Sequence, residues 1–374
     1  MITPPIKIFL LLLLALAISC SPRTEKGNDY LKSKIQQYLD SEVDENNPGI
    51  LLHIESPERG LSWSASAGVS DRQSGSELKP NQLFRIASVT KIFVACTILR
   101  LYEEGSLSLN DPITKHISHK HDSILKVGGY ESDQITIRHL LTHSSGLFDH
   151  TNADIYLSSI LENPTHEWTR TEQLLIAIKY GKPVCAIGEK FSYSDTGYIL
   201  LGKIIERVTH KSLNDAIQEQ LEFKRIGLGD TFIENKGENT DDRIHQYLDG
   251  EDTYLFNPSI DLYGGGGLLS TTTDLAIFYQ QLFTHNVFKN KSTLDTMLTK
   301  VIYKTKQNAD YRIGVLLIDI DGLLAYTHTG YWGTQVIYIP KLNTSIAVNY
   351  SQHWIEKGPA PVLVKIISAL NEYI

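Results

Sequence analysis

Cysteine is scarce in this chain: three in 374 residues, at positions 20, 96 and 185. The two in the body of the chain cannot form a disulfide framework, so both read as free thiols, with Cys96 a small core residue. Excess positive charge is also lacking. The formal net charge is −8 at pH 7, and no basic stripe alternates with aromatics, which leaves nucleic-acid binding without support. No Gly-x-Ser-x-Gly elbow occurs, which argues against an ordinary α/β-hydrolase. The glycine run 264–267 has no Lys after it at phosphate-loop spacing. His139 and His143 stand four apart, but Leu140 occupies the place where the zinc-protease pattern needs Glu. His116, His119 and His121 fall in a polar run that reads as a solvated loop. Repeats, low-complexity tracts and linkers are missing too, so nothing marks an independent second domain.

Ordinary globular composition remains, 41% hydrophobic and 21% charged. Residues 1–20 open with Lys7 and the apolar run IFLLLLLALAIS, of signal-peptide length and too short to span a bilayer. The run ends Ala17-Ile18-Ser19-Cys20, a pattern that resembles a bacterial lipoprotein signal. Cleavage there leaves Cys20 as a lipidated N-terminus, residues 21–28 as a polar tether and 29–374 as the working domain. The expected location is the cell envelope, exported and anchored to membrane through lipid.

The organising stretch is FRIASVTKIFVACTILRLYEEG, residues 84–105. Ser88 and Lys91 stand three apart, hence on one helical face, ahead of a segment that is apolar on every side and belongs in a core. A serine oxygen is a poor nucleophile without a base in reach. A lysine at the mouth of an apolar core can serve, because desolvation lowers its pKa. Ser76/Lys79 and Ser123/Lys126 repeat the spacing, but only Ser88 opens a buried helix. A capping Ser with a snorkelling Lys is the plainer account of the pair taken alone.

Helical spacing predicts a helix over residues 28–43. GILLHIES and LSWSASAGVS flank the PERG turn as a β-hairpin. Residues 110–255 read as helices and polar loops. Strands return as YRIGVLLIDI, LLAYTHTG, TQVIYIP and TSIAVNY, and APVLVKIISALNEY closes the chain as a helix. The expected fold is α/β of the α+β kind: one antiparallel sheet built from both chain ends, covered by the terminal helices, with an all-helical lobe inserted at about 110–255.

Two further stretches carry polar groups of chemical interest. FSYSDTGYILLGKIIERV puts Tyr193 and Asp195 on a turn before an apolar helix, where Asp195 also makes sense as an N-cap acid. In YTHTGYWGTQVIYIP, His328-Thr329-Gly330 ends a strand whose glycines allow close backbone approach. LTHSSGLFDHTN shows no obvious chemistry and reads as cleft wall. YGGGGLLSTTTDLAIF reads as a glycine turn before a helix capped near Thr273 or Asp274.

In this order, Ser88-Val89-Thr90-Lys91, Tyr193-Ser194-Asp195 and His328-Thr329-Gly330 resemble the serine β-lactamases and penicillin-recognising D-alanyl-D-alanine peptidases. The branch is that of class C β-lactamases, D-alanyl-D-alanine carboxypeptidases, D-aminopeptidases and related esterases. SASAGVSDRQSG, FRIASVTK and SGLFDHTN are most similar to the carboxypeptidases. The resemblance covers about residues 45–350 and implies a β-lactamase/transpeptidase-like fold. It implies that Ser88 becomes acylated while Lys91 and Tyr193 move its proton, help typically worth about 100- to 10,000-fold. The backbone N–H groups of Ser88 and Tyr331 become an oxyanion hole, each worth roughly 3–4 kcal/mol. His328 and Thr329 offer positive potential and a hydroxyl to a substrate carboxylate. The implied substrates are D-alanine-terminated peptides first, with β-lactams, D-amino-acid peptides or esters as alternatives. No metal or cofactor is implied.

The chain departs from the family pattern twice. His328 stands where many members have Lys, and an imidazole is charged only part of the time near pH 7. Asp195 stands where Asn is common, and an ionised carboxylate only accepts hydrogen bonds. A carboxylate about 4 Å from Lys91 favours its ammonium by about 4 kcal/mol at an effective dielectric near 20. Proton transfer is then expected to lean on Tyr193, with charged Lys91 lowering its pKa, and efficient β-lactam turnover is not expected. The rival from another class is a penicillin-binding sensor that acylates without turnover.

Overall fold

The computed structural model describes residues 22–235, 243–353 and 359–372. The signal segment and Cys20 lie outside them. Helix α1 spans Pro22–Glu42, so most of the stretch expected to be a tether is helical. Proline suits a first helical position, where its missing N–H has no partner to lose. Among the described residues no helix is long and apolar enough to cross a membrane.

One antiparallel sheet of eight strands forms the frame. Its strands are β1 (Gly49–Ser56), β2 (Leu61–Asp71), β3 (Ser76–Glu77), β4 (Asp310–Tyr311), β5 (Leu316–Ile320), β6 (Leu323–Gly330), β7 (Thr334–Ile339) and β8 (Thr344–Tyr350). They lie in the order β3-β2-β1-β8-β7-β6-β5-β4. The two chain ends meet where β1 pairs with β8, Leu52 opposite Val348. Helices α2 (Thr90–Glu103), α3 (Asp195–Thr209), α4 (Thr272–Phe283) and α5 (Pro361–Glu372) complete the frame.

Pleating gives the central strands two buried faces. Ile346 and Val348 of β8, with Ile337 and Ile339 of β7, join a core shared with α1 and α5. Ala347, Val336 and Tyr338 face the other way, into the core that holds α2, α3 and α4. Each aliphatic side chain buried there contributes roughly 1.5–3 kcal/mol. Every residue of α2 from Thr90 to Leu101 is buried, which explains its apolarity on all sides. The fold is β-lactamase/transpeptidase-like, with antiparallel sheet and flanking helices as the sequence indicated.

Several local expectations differ. Between Ile113 and Ile226 regular elements are all helical, but short strands Phe232–Ile233, Tyr247–Leu248 and Glu251–Asp252 occupy the rest of the expected helical span. The His-rich run read as a loop is a helix, His119–Val127, whose N-cap Ser118 accepts from the His121 amide. His116 and His121 are buried, His116 against Asp111 at 2.9 Å and His121 against Thr171 at 3.3 Å. Helix α4 is capped by Thr271, two to three residues before Thr273 and Asp274, through the Asp274 amide.

Candidate active site

Ser88 sits on a tight turn held from both sides. Residues Ala87–Val89 form a single 3-10 turn that runs directly into α2. Ala87 adopts a φ of 44°, a left-handed conformation that costs a non-glycine residue roughly 1–3 kcal/mol and marks functional turns. Just before it, Phe84 and Arg85 pair with Ser270 and Leu269. Arg85 makes a buried two-pronged ion pair with Glu234, at 2.6 and 3.0 Å. From the other side Gly330, at the end of β6, lies against the Ile86 carbonyl, where a methyl group would collide.

The three distant segments converge on that turn. Lys91 Nζ is 2.9 Å from Ser88 Oγ and donates to the Gly265 carbonyl at 2.6 Å. Asp195 Oδ1 is in direct contact with the same nitrogen. A lysine ammonium has three donors, and these three oxygens match them. As a neutral amine it donates to the two oxygens that only accept and takes the Ser88 proton on its lone pair. The same arrangement therefore serves both ends of a proton transfer. The Tyr193 phenol also hydrogen-bonds to Ser88, and Lys91 Nζ lies 5.0 Å from the centre of the Tyr193 ring.

Asp195 is the first residue of α3, but the N-cap is Ser194, whose side chain makes no capping bond. The carboxylate turns to Lys91 instead. Burial first, then the negative charge of Asp195, pushes the Tyr193 phenol well up from its ordinary value, against a smaller lowering by its bond to Ser88. This corrects the expected direction: burial and the Asp195 charge hold Tyr193 as a neutral phenol rather than a phenolate.

His328 is corrected too. It is buried, Nδ1 donates to the Thr329 carbonyl at 2.8 Å, and Nε2 accepts from the Tyr311 hydroxyl at 3.3 Å. Burial, with Lys91 nearby, lowers its pKa to about 4. It is neutral at pH 7 and supplies no positive potential for a carboxylate. Thr329 and Gly330 follow it to the edge of the Ser88 turn, and Tyr331 lines the pocket with Ser88.

The pocket has a volume of about 470 Å³, with Ser88, Tyr193 and Asp195 in its wall beside apolar Tyr156, Phe256 and Trp332. Two residues of its wall escaped the sequence reading, Asp149 and Asp261. Burial, then the charge of Asp195, raises each to about 7. Asp149 accepts from the amide and hydroxyl of Thr151 at 3.1 and 2.9 Å. Among the described residues no Lys, Arg or His lines the pocket. Neither aspartate had a local signature: one follows Phe148 in a loop, the other precedes a glycine run. That run matters because Gly266 passes against the Asp261 carboxylate with no room for a Cβ.

His139 and His143 do not share a ligand site. His139 Nδ1 accepts from the Thr136 amide at 3.1 Å and closes a capping box, while His143 stacks on Tyr193. Cys96 and Cys185 are free thiols.

A hydroxyl between an amine and a phenol, on this sheet-and-helix frame, defines the class of serine hydrolases with the β-lactamase and penicillin-binding fold. The chain belongs to the Beta-lactamase family, which matches residues 35–355. A penicillin-binding protein of Bacillus subtilis (strain 168) is 27% identical over 287 residues, 71% of this chain and 59% of that protein. Protein flp of Staphylococcus aureus (strain COL) is 31% identical over 212 residues, 56% of this chain and 40% of that protein. The chain thus spans about two- to three-fifths of the length of these curated relatives. A D-stereospecific amidohydrolase from Streptomyces sp. superposes with a TM-score of 0.75 at 25% identity, covering 90% of this chain and 97% of that one. The D-amino acid amidase of Ochrobactrum anthropi SV3, complexed with D-phenylalanine, gives 0.77 at 22% identity, covering 92% and 100%, and shows the shared fold.

Proposed function

We propose that the protein cleaves amide or peptide bonds next to a D-amino acid that carries a free ammonium, through an acyl-enzyme on Ser88. Ser88 Oγ attacks the carbonyl carbon, and its proton passes to the Lys91 and Tyr193 pair. The Ser88 and Tyr331 N–H groups receive the developing oxyanion. Tyr193 delivers the proton to the departing nitrogen and then takes one from the water that attacks the ester. Donation to the departing nitrogen needs a neutral phenol, the state that burial favours; the phenolate it leaves takes the proton of the attacking water, and Lys91 returns the first proton to Ser88 Oγ as the ester breaks.

The observation that carries the substrate class is the charge of the pocket wall. Asp149, Asp195 and Asp261 line it, its walls are otherwise largely apolar, and the nearby Lys91 already contacts Asp195. An ammonium beside an apolar side chain suits this pocket, and a carboxylate does not. The name of the Streptomyces relative, a D-stereospecific amidohydrolase, supports the D configuration. The second reading is a D-alanyl-D-alanine carboxypeptidase, favoured by the matching penicillin-binding protein, and it requires a cationic group for the C-terminal carboxylate that the described wall lacks.

The deciding assay compares a D-amino acid amide, its N-acetyl derivative, a D-Ala-D-Ala peptide, a chromogenic cephalosporin and a short-chain aryl ester. The free-amine amide should exceed the N-acetyl derivative in kcat/KM by at least about tenfold, the value of about 1.4 kcal/mol of ammonium binding. Preference for the D-Ala-D-Ala peptide overturns the amine reading and favours the carboxypeptidase. Stable labelling by penicillin without turnover of any substrate indicates the sensor. Full activity in Ser88→Ala removes the acyl-enzyme altogether.

A further inference from the structure

Tyr193 lies in a stretch, residues 191–194, with no helix or strand of its own. Its phenol must nevertheless be held against Ser88 to within a fraction of an ångström if it is to carry a proton. The amides on both sides of it go to one residue. Ser192 N–H donates to the His143 carbonyl at 2.8 Å, and Ser194 N–H donates to His143 Nδ1 at 3.0 Å. The His143 ring also stacks on the Tyr193 ring, with centres 4.3 Å apart and planes at 30°. One residue thus grips the stretch before, at and after Tyr193.

This grip is costly to the fold. His143 takes a φ of 51°. Because Nδ1 accepts, the ring hydrogen sits on Nε2, which is buried with no hydrogen-bond partner among the described residues. Such an orphaned donor is ordinarily avoided, and one that persists calls for a role. The rings of Phe191, Tyr198 and Tyr311 enclose the imidazole. A hydrocarbon side chain would fill that box without an orphan, but it would leave the Ser194 amide without its acceptor.

We infer that His143 is the positioning residue for Tyr193, setting the angle at which the phenol meets Ser88 Oγ. It touches no reacting atom, and the inference rests on the reading of Tyr193 as the proton carrier. LTHSSGLFDHTN, plain cleft wall by sequence, thereby acquires a part in the reaction.

The test uses the full chain with a neutral aryl ester and the variants His143→Phe, His143→Asn and Tyr193→Phe. Phe keeps a ring and loses the acceptor. Asn tolerates a left-handed backbone, and its Oδ1 stands near the place of Nδ1. His143→Phe should lower kcat by about 10- to 100-fold with KM within about twofold. His143→Asn should recover part of that loss. Adding His143→Phe to Tyr193→Phe should cost little more than Tyr193→Phe alone, since a positioning residue acts only through what it positions. Wild-type kcat in a folded His143→Phe, or losses that multiply in the double variant, overturns the inference. Should His143→Phe not fold, a His143→Asn variant with no recovery over His143→Ala does the same. Full activity in Tyr193→Phe sinks the proton-carrier reading along with this one, whereas activity lost there and kept in His143→Phe sinks this one alone.

Discussion

Replacing Asp195 by Asn tests the electrostatics of the whole pocket in one step. After burial, the Asp195 charge is the next contribution that raises Tyr193, Asp149 and Asp261 together. Two unit charges about 6 Å apart at an effective dielectric near 20 interact by about 3 kcal/mol, which is about two pKa units. Asp195→Asn keeps the side-chain shape and removes that charge, so all three groups should titrate lower. For a neutral aryl ester, kcat/KM reports the free enzyme, and its alkaline limb should move down by about one to two pH units as the phenol ionises more readily. For a D-amino acid amide, wild-type KM should rise as pH falls below about 7, where Asp149 and Asp261 take up protons, and in the variant that rise should begin lower. Both profiles are measured by initial rates from about pH 5 to 11, with a thermal melt at each pH to exclude unfolding; the wild-type phenol stands well above the ordinary tyrosine value, so the test is whether the variant loses rate at a lower alkaline pH than the wild type. Superimposable profiles, or an alkaline limb that moves upward, would refute the reasoning.

The other predictions concern stability and placement. Asp149 in the folded state holds its proton up to about pH 7, against an ordinary value of 3.8, so its contribution to stability is full below about pH 4 and is lost as pH rises through 7. Asp149→Asn should therefore be more stable than wild type by on the order of 2–4 kcal/mol at pH 8 and nearly equal at pH 4; urea titrations showing the same difference at both values would refute this. Gly266→Ala places a methyl group on the Asp261 carboxylate and should cost about 1–3 kcal/mol, while Gly229→Ala, with open space around it, should shift melting little; equal melting points count against the packing. If Cys20 is the lipidated residue, Cys20→Ser should move the protein from the membrane fraction to the soluble one in fractionated cells, and an unchanged distribution removes the anchor.

The parts of the site legible in the sequence were those whose chemistry is written into local pattern. Ser88 and Lys91 stood out because a helix apolar all round must be buried, and a buried lysine next to a serine demands a reason. The late strands were legible because both of their faces are buried, Val336 in one core and Ile337 in the other, which leaves short β-branched and aromatic runs between turn residues. What stayed hidden depends on partners far away in the chain. His328 reads as a possible cation until its burial and its bond from Tyr311 are known. Asp149 and Asp261 look like ordinary loop acids, because nothing local shows that a third aspartate approaches both. The helix at His119–Val127 was hidden for a different reason: its charged outer face masks the buried His121 and Leu125.

Charge count links these hidden residues to the visible ones. An ammonium on Lys91 would offset the Asp195 carboxylate that it contacts, and a pocket that held only this pair would have no preference for a cation. Asp149 and Asp261 add two carboxyls whose raised titration means that the protein stores an unfavourable charge near neutral pH. Evolutionary cost of that kind is sustained where binding relieves it. A substrate ammonium entering beside them would lower both titrations, so its binding should release protons, by up to one per carboxyl that was protonated when free. The same amide with its nitrogen acetylated cannot do so. Proton release measured in buffers of different ionisation enthalpy thus separates recognition of a cation from mere filling of an apolar pocket, and it does so without any bond being cleaved.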